Sequence, residues 1–336
     1  MVGTRRTGAR HVRTESRRRQ CDIVGTGGDG HSTFNISTAS SIIASSLLLI
    51  AKHGNRASTS KSGSADVLAA MRLPAQPRLE AVDPAALAQI YATTNYAFLF
   101  APNFHKGLRH VAATRREMPC PTIFNLLGPL TNPVEAAIEA RVIGVKRRDL
   151  VPVFAEALRL NGASKGMVVC GAEDLDEISC AGPTHCARLT LVGEARDEDE
   201  RGADVRIDEF RLSPGDFGLP EHPLSTVSPG GTPEENAAIL TRLLADGMPA
   251  DDPILHFVLL NVAALFVVAG VCDEGGASAF AGQGDAVREV GPGGGRWKEG
   301  VRLARLALSS GGALRSLRGF AEVTQRLSGS ALPAPA

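Results

Sequence analysis

The chain has 336 residues, with 36 Lys and Arg against 36 Asp and Glu, a formal net charge of zero. That length holds two domains or one large α/β unit, and the charge balance argues against a nucleic-acid binder, which carries a basic surplus. No apolar run reaches the roughly 20 residues needed to span a bilayer.

Residues 1–20 carry seven arginines and one acid, with almost nothing apolar. They cannot build a core. Arg-rich, acid-poor composition is shared with organelle transit peptides, but no apolar face accompanies the arginines. A disordered leader or a wrongly assigned start is expected. Residues 21–24 form a short apolar run ending in the loop GTGGDG, so a strand is expected there. A helix then follows, capped by Ser37 or Thr38, running through about Lys52 and stopped by Gly54. Residues 66–71 continue as a helix. A further helix is expected over 84–96, with Asp83 as N-cap and Pro84 at its first position.

Residues 104–118 place His105, His110, Arg115 and Arg116 on a basic helix, and 121–133 read as an apolar strand or turn. RVIGV, 141–145, is a strand. Residues 148–160 have helical spacing, with Leu150, Val153, Phe154, Ala157 and Leu158 on one side. Residues 165–170 are a second strand. Strand, helix and strand within about 30 residues make a βαβ unit and hence a parallel sheet. Residues 192–209 are a charged hairpin or insertion. Helices are expected over 234–244 and 253–270, and a last one to about Leu308 after the glycine-rich turn at 291–295. The tail GSALPAPA is expected to be disordered. Six cysteines (Cys21, Cys120, Cys170, Cys180, Cys186, Cys272) form no C-x-x-C pair. Free thiols in a reducing, cytoplasmic setting are expected, and a zinc site is not.

Four segments carry chemistry. In GTGGDG, closely spaced glycines let backbone N–H groups approach an anion, and the helix after Asn35, Ser37 and Thr38 adds its positive end. This is neither a Walker loop nor G-x-G-x-x-G. KHGNRASTSKSGSADVL, 52–68, concentrates Lys52, His53, Asn55, Arg56 and several hydroxyls, which suit phosphate oxygens. Asp176 and Glu177 follow the strand at 165–170, where ligands gather in open parallel sheets. Such a pair suits Mg²⁺ held by a few carboxylates plus a ligand's phosphates, although adjacent acids are more often a solvated face. The fourth segment, FHKGLRHVAATRREM with PTIFNLLGPLTNP, reads on its own as surface charge and packing.

Together GTGGDG…TFNIST, KHGNRA…GSADVL, TIFNLLGPLTNP, Asp176-Glu177 and GPGGGRWKEGVRLA resemble the anthranilate phosphoribosyltransferase family, with wording most like its fungal branch. The resemblance implies an α/β fold, a mostly parallel central sheet with flanking helices and a reduced helical lobe. It implies phosphoribosyl transfer from 5-phosphoribosyl 1-diphosphate (PRPP) to anthranilate, with Mg²⁺, in tryptophan biosynthesis. By motif, Gly25, Gly28, Asp29, Thr33, Asn35, Ser37, Thr38, Lys52, Ser60 and Ser64 would hold PRPP. Ser37, Asp176 and Glu177 would hold Mg²⁺. Gly25, His53, Asn55, His105, Arg115, Gly128 and Pro129 would line the anthranilate path, with Lys52, Asn55 and Arg115 closest to the chemistry.

The implied organisation is a leader at 1–20, the phosphoribosyltransferase domain at 21–325 with residual helical-lobe segments at about 64–115, and a tail at 326–336. The family has a helical domain before its first glycine loop, where this sequence has only the leader. Helices at 64–71 and 84–96 are therefore expected to show an uncovered apolar face. The implied homodimer loses part of its contact for the same reason. Lys106-Gly107 and Pro121 also depart from the family's wording. Two alternatives stay open: a truncated, non-catalytic relic, and a pyrimidine-nucleoside phosphorylase, which resembles this family but binds free phosphate. No nucleic acid or membrane partner is expected.

Overall fold

A computed structural model of the chain describes residues 20–57, 61–111, 117, 122–192, 205–228, 231–273 and 284–329. Residues 1–19 of the leader, the tail GSALPAPA from residue 330, Ser60, Arg115, Arg116, Cys120 and Pro121 lie outside the described residues, and Gln20, expected in the leader, opens a strand.

The chain alternates β1 (Gln20–Gly25), α1 (Ile36–Ala44), β2 (Leu49–Gly54), α2 (Ser64–Ala70), α3 (Leu87–Thr93) and β3 (Tyr96–Phe100). Two short turns of helix follow, α4 (Ala101–Phe104) and α5 (Phe124–Leu127). Then come β4 (Ile138–Gly144), α6 (Leu150–Leu160), β5 (Lys165–Gly171), β6 (Thr184–Leu191) and β7 (Val205–Leu212). Four helices close the described chain: α7 (Pro233–Leu244), α8 (Pro253–Ala269), α9 (Trp297–Ser309) and α10 (Gly312–Leu327). The strands make one sheet in the order β3-β2-β1-β4-β5-β6-β7. The first five are parallel, and the β6–β7 hairpin is antiparallel.

Helices cover both faces, as parallel strands require. α8 is apolar all round and packs on α1, α9 and β4, with Leu255 to Val268 buried. Asp252 caps it by accepting from the Ile254 and Leu255 N–H groups, and Gly270 ends it at φ 84°. α6 covers the other face, where Val151, Phe154 and Leu158 meet Ile143, Val168 and Leu189. Among the described residues no helix is long and apolar enough to cross a membrane.

Several local expectations change. The expected helix to Lys52 ends at Ala44, and Leu49–Gly54 is a strand. The cap of α1 is Asn35 rather than Ser37 or Thr38, and its side chain makes no capping hydrogen bond to the helix. The helix expected over 84–96 stops at Thr93, although Asp83 does accept from the Ala86 N–H at 2.9 Å. Tyr96–Phe100 is then a strand buried at every position. Leu and Ala favour helix locally, but a central parallel strand has no polar face to reveal its period. In α6, Val153 points outward at 59% exposure, and Val151 takes the inner position. His105 and His110 sit on short turns of helix rather than one basic helix, and 121–133 contains α5 and tight turns.

The helices at 64–70 and 87–93 do not present an uncovered face. Val67, Leu68, Leu87 and Ile90 are buried. α2 packs against α7, and α3 packs against α10, a helix that the sequence reading had not placed. Leu317, Phe320 and Ala321 of α10 supply the apolar cover, and Phe320 meets Tyr96 edge-on at 5.4 Å. Five cysteines (Cys21, Cys170, Cys180, Cys186, Cys272) are free and buried.

Candidate active site

The glycine loop leaves the end of β1 and turns through Gly27, Gly28 and Gly30, all at positive φ. That conformation excludes most side chains. A Cβ on Gly27 or Gly30 would touch nothing within 4 Å, so these two glycines serve backbone conformation rather than close packing. Gly25 differs. A Cβ there would stand 2.9 Å from Cγ of Asp176. Its register partner across the sheet is Gly144 of β4. A Cβ on Gly144 would fall within the Asp176 backbone, 3.2 Å from its Cα and closer still to its carbonyl. Two glycines on adjacent strands therefore leave the space in which Asp176 lies.

Asp176 is held there by the Gly27 N–H, which donates to Oδ2 at 2.5 Å. Asp176 is 9% exposed. Burial, and then the charge of Asp29, push its pKa up. Glu177 is pushed up too, by burial and by Asp176, while Lys52 and the Ser37 N–H oppose the shift. So Asp29, Asp176 and Glu177 crowd negative charge around the loop with too little positive charge to balance it. Among the described residues no group of three or more His, Cys, Asp and Glu side chains makes a complete cage for a metal. Two or three mutually repelling carboxylates beside a phosphate-sized loop fit Mg²⁺, which keeps waters and takes further oxygens from its ligand. His31 ties the two loops together, donating from its N–H to Asp29 Oδ1 at 3.1 Å and from Nε2 to the Glu173 carbonyl at 2.7 Å.

On the other side of the loop, Asn35 Nδ2 donates to the Ser62 carbonyl at 3.0 Å, and Thr38 Oγ1 donates to Ser64 Oγ at 2.8 Å. These bonds join the start of α1 to the start of α2, so Ser37 and Ser64 belong to one wall. Lys52 is 1% exposed, on β2, with Nζ donating to the His53 carbonyl at 3.1 Å. Burial lowers its pKa, and Asp22, Glu177 and Asp176 hold it up.

Three of the expected anthranilate residues meet. His53 Nδ1 lies 3.2 Å from the Gly128 carbonyl, and its Nε2 lies 3.2 Å from His105 Nε2. A carbonyl can only accept, so His53 carries its proton on Nδ1, and His105 donates from Nε2. Burial, then His105 and Lys52, push the His53 pKa down to about 4, so the ring is neutral at pH 7. Pro129 is buried behind Gly128, whereas Asn55 is exposed at the end of β2, with Oδ1 accepting from the Arg56 N–H. Thr33 is partly buried in the loop before α1. Ser60 and Arg115 lie outside the described residues.

Three residues outside the motifs' expected site set also belong here: Gly144, Asp22 and Asn132. Gly144 had a signal, a glycine inside an apolar strand. Asp22 is an acid inside another, and Asn132 lies in the GPLTNP motif.

A mostly parallel sheet with a glycine loop, acid pair and buried lysine at its carboxyl edge fits a glycosyltransferase of the α/β type. The family model described as "Glycosyl transferase family, a/b domain" matches residues 17–314. Anthranilate phosphoribosyltransferase of Schizosaccharomyces pombe is 42% identical over 306 residues, 91% of this chain and 75% of that one. The Saccharomyces cerevisiae enzyme is 35% identical over 312 residues, 91% and 72% of the two chains. Its solved complex with PRPP and Mg superposes with a TM-score of 0.74 at 33% identity, covering 92% of this chain and 74% of that one. Its complex with 4-fluoroanthranilate gives 0.73 at 31% identity, with the same coverage. The chain belongs to the anthranilate phosphoribosyltransferase family, and spans about three quarters of the length of these relatives.

Proposed function

We propose that this chain transfers the 5-phosphoribosyl group of PRPP to the amine of anthranilate, giving N-(5-phosphoribosyl)anthranilate and diphosphate. The observation that carries the reading is the acid-crowded loop of Asp176 and Glu177, seated on Gly25 and Gly144 and facing the glycine loop, with Lys52 buried behind it. A nucleoside phosphorylase, binding free phosphate, has no use for such a cluster.

The bond from ribose C1 to the diphosphate oxygen breaks, the C1–N bond forms, and the amine loses a proton. Negative charge gathers on the leaving diphosphate and positive charge on the ribose. Gly25, Gly28, Asp29, Thr33, Asn35, Ser37, Thr38, Lys52, Ser60 and Ser64 hold PRPP, with backbone N–H groups and the Lys52 ammonium set against its phosphates before reaction. Mg²⁺, held by Ser37, Asp176 and Glu177, supplies further charge neutralisation on the leaving group when bound. His53, Asn55, His105, Gly128 and Pro129 wall the amine, and Arg115 pairs the anthranilate carboxylate. A neutral His53 places no cation beside an amine that gains positive charge as it attacks. The arylamine is a usable nucleophile once held close, so positioning and electrostatics suffice and no single general base is assigned.

Free, buried cysteines support a cytoplasmic setting within tryptophan biosynthesis. A homodimer remains part of this reading, and sedimentation of the purified chain tests it. The deciding experiment is the loss of anthranilate fluorescence on adding PRPP and Mg²⁺. A folded sample that leaves the fluorescence unchanged overturns the transferase and favours the non-catalytic relic.

A further inference from the structure

β1 and β2 are parallel neighbours, yet their ladder pairs only Gln20 with Leu49 and Cys21 with Ile50. β1 stays paired with β4 through Gly25, and β2 stays paired with β3 through Gly54. The sheet is therefore split between β1 and β2 at their carboxyl ends, where Asp22 and Lys52 lie. Backbone groups freed by such a split need other partners. Asn132 serves one of them, its Nδ2 donating to the Ala51 carbonyl at 2.9 Å and to Asp22 Oδ2 at 2.8 Å. Asn132 is itself fixed, its Oδ1 accepting from the Val134 N–H at 3.1 Å. Burial raises the Asp22 pKa, and Lys52, then the Asn132 hydrogen bond, Arg141 and the His53 N–H oppose that shift.

Asp22 is 2% exposed, and its Oδ1 has no hydrogen-bond partner. A buried carboxylate needs a countercharge. Two cations bear on it, Lys52 more strongly than Arg141. Arg141 is already engaged, donating from Nη1 and Nη2 to Glu135 at 2.9 and 2.5 Å. Among the described residues Lys52 makes no such ion pair; its Nζ donates to the His53 carbonyl, and Asp22 bears on it ahead of Glu177 and Asp176.

We propose that Asp22 is a positioning residue for the transfer: with Asn132 it wedges the ends of β1 and β2 apart, and it supplies the countercharge that keeps the Lys52 ammonium in the split, at the floor of the diphosphate site. Asp22 acts through Lys52 and touches no substrate. The role rests on the transferase reading above, but the Asp22–Lys52 coupling is measurable without it.

The test is a double-mutant cycle of Asp22→Asn and Lys52→Met, read by melting temperature and by calorimetric titration with PRPP and Mg²⁺. Asp22→Asn is expected to weaken PRPP binding by about tenfold or more, with the anthranilate KM changed by less than about threefold. In the Lys52→Met background, Asp22→Asn is expected to cost no further affinity. The double variant should melt above Asp22→Asn alone, because it no longer holds a buried Lys52 ammonium stripped of its Asp22 countercharge. Additive losses in affinity and in melting temperature overturn the proposal. If Asp22→Asn does not fold, a folded double variant supports the coupling, and an unfolded one overturns it. Wild-type protein that binds no PRPP overturns the transferase reading and the positioning role with it. Wild-type binding with additive losses overturns this inference alone.

Discussion

Gly144→Ala tests whether the seating of Asp176 is what makes the site. The added Cβ would lie inside the Asp176 backbone, 3.2 Å from its Cα and nearer to its carbonyl group. Backbone cannot rotate away as a flexible side chain can. The acid loop must retreat by roughly 2 Å to restore an ordinary contact of about 3.5 Å. Overpacking of this kind costs about 1–3 kcal/mol, within the ~5–15 kcal/mol that holds a folded domain. The variant should therefore stay folded. Its catalysis should not survive so well, because a misplacement of about 1 Å can cost on the order of 100-fold in rate. The expectation is a fall in kcat/KM of about 100-fold or more, with a higher Mg²⁺ concentration at half-saturation. The assay is anthranilate fluorescence against PRPP at a series of Mg²⁺ concentrations, with a thermal melt of the same sample. Gly215→Ala is the control, since a Cβ there meets nothing within 4 Å. A Gly144→Ala protein with wild-type activity and an unchanged Mg²⁺ titration would refute the reasoning.

Asp176→Asn with Glu177→Gln should remove the crowding of charge and flatten the Mg²⁺ dependence, and an unchanged metal titration would take the pair out of the site. Arg115→Ala should raise the anthranilate KM far more than the PRPP KM, and equal effects would deny it the carboxylate. The His53 ring, with its pKa lowered to about 4 in the folded chain against 6.5 as the ordinary value, stays neutral where the unfolded chain is protonated. Stability from this group is thus present above pH 6.5 and is lost as pH falls towards 4, by about 3 kcal/mol at most. Melts of wild type and His53→Asn between pH 7 and 4 check it, the variant being the less sensitive to acid. Phe320→Ala, which uncovers Tyr96, should cost about 3–5 kcal/mol, read by urea unfolding.

How much of this was legible depends on the range of each interaction. GTGGDG, the acid pair and the 141–170 βαβ unit stand out because their chemistry or periodicity is local. Lys52 lies on a strand and not on the expected helix, since LLLIAKH has no alternation and leucine favours helix. YAFLF was lost for the same reason, being buried on both faces. The carboxyl helix is a different case: Leu317, Phe320, Ala321 and Thr324 do recur at helical spacing, but the last expected helix ends at about Leu308. The meeting of His53 with His105, 52 residues apart, leaves no mark in either segment alone. Gly144 and Asp22 lie between these cases. A glycine and an acid in the middle of buried strands are each costly to folding, and a strand that carries such a residue needs a tertiary reason. For Gly144 that reason is the backbone of residue 176, and for Asp22 it is a lysine on the neighbouring strand. The residues least suited to their strands are therefore the ones that shape the site, and local misfit in an otherwise apolar strand points to function more surely than a polar loop does.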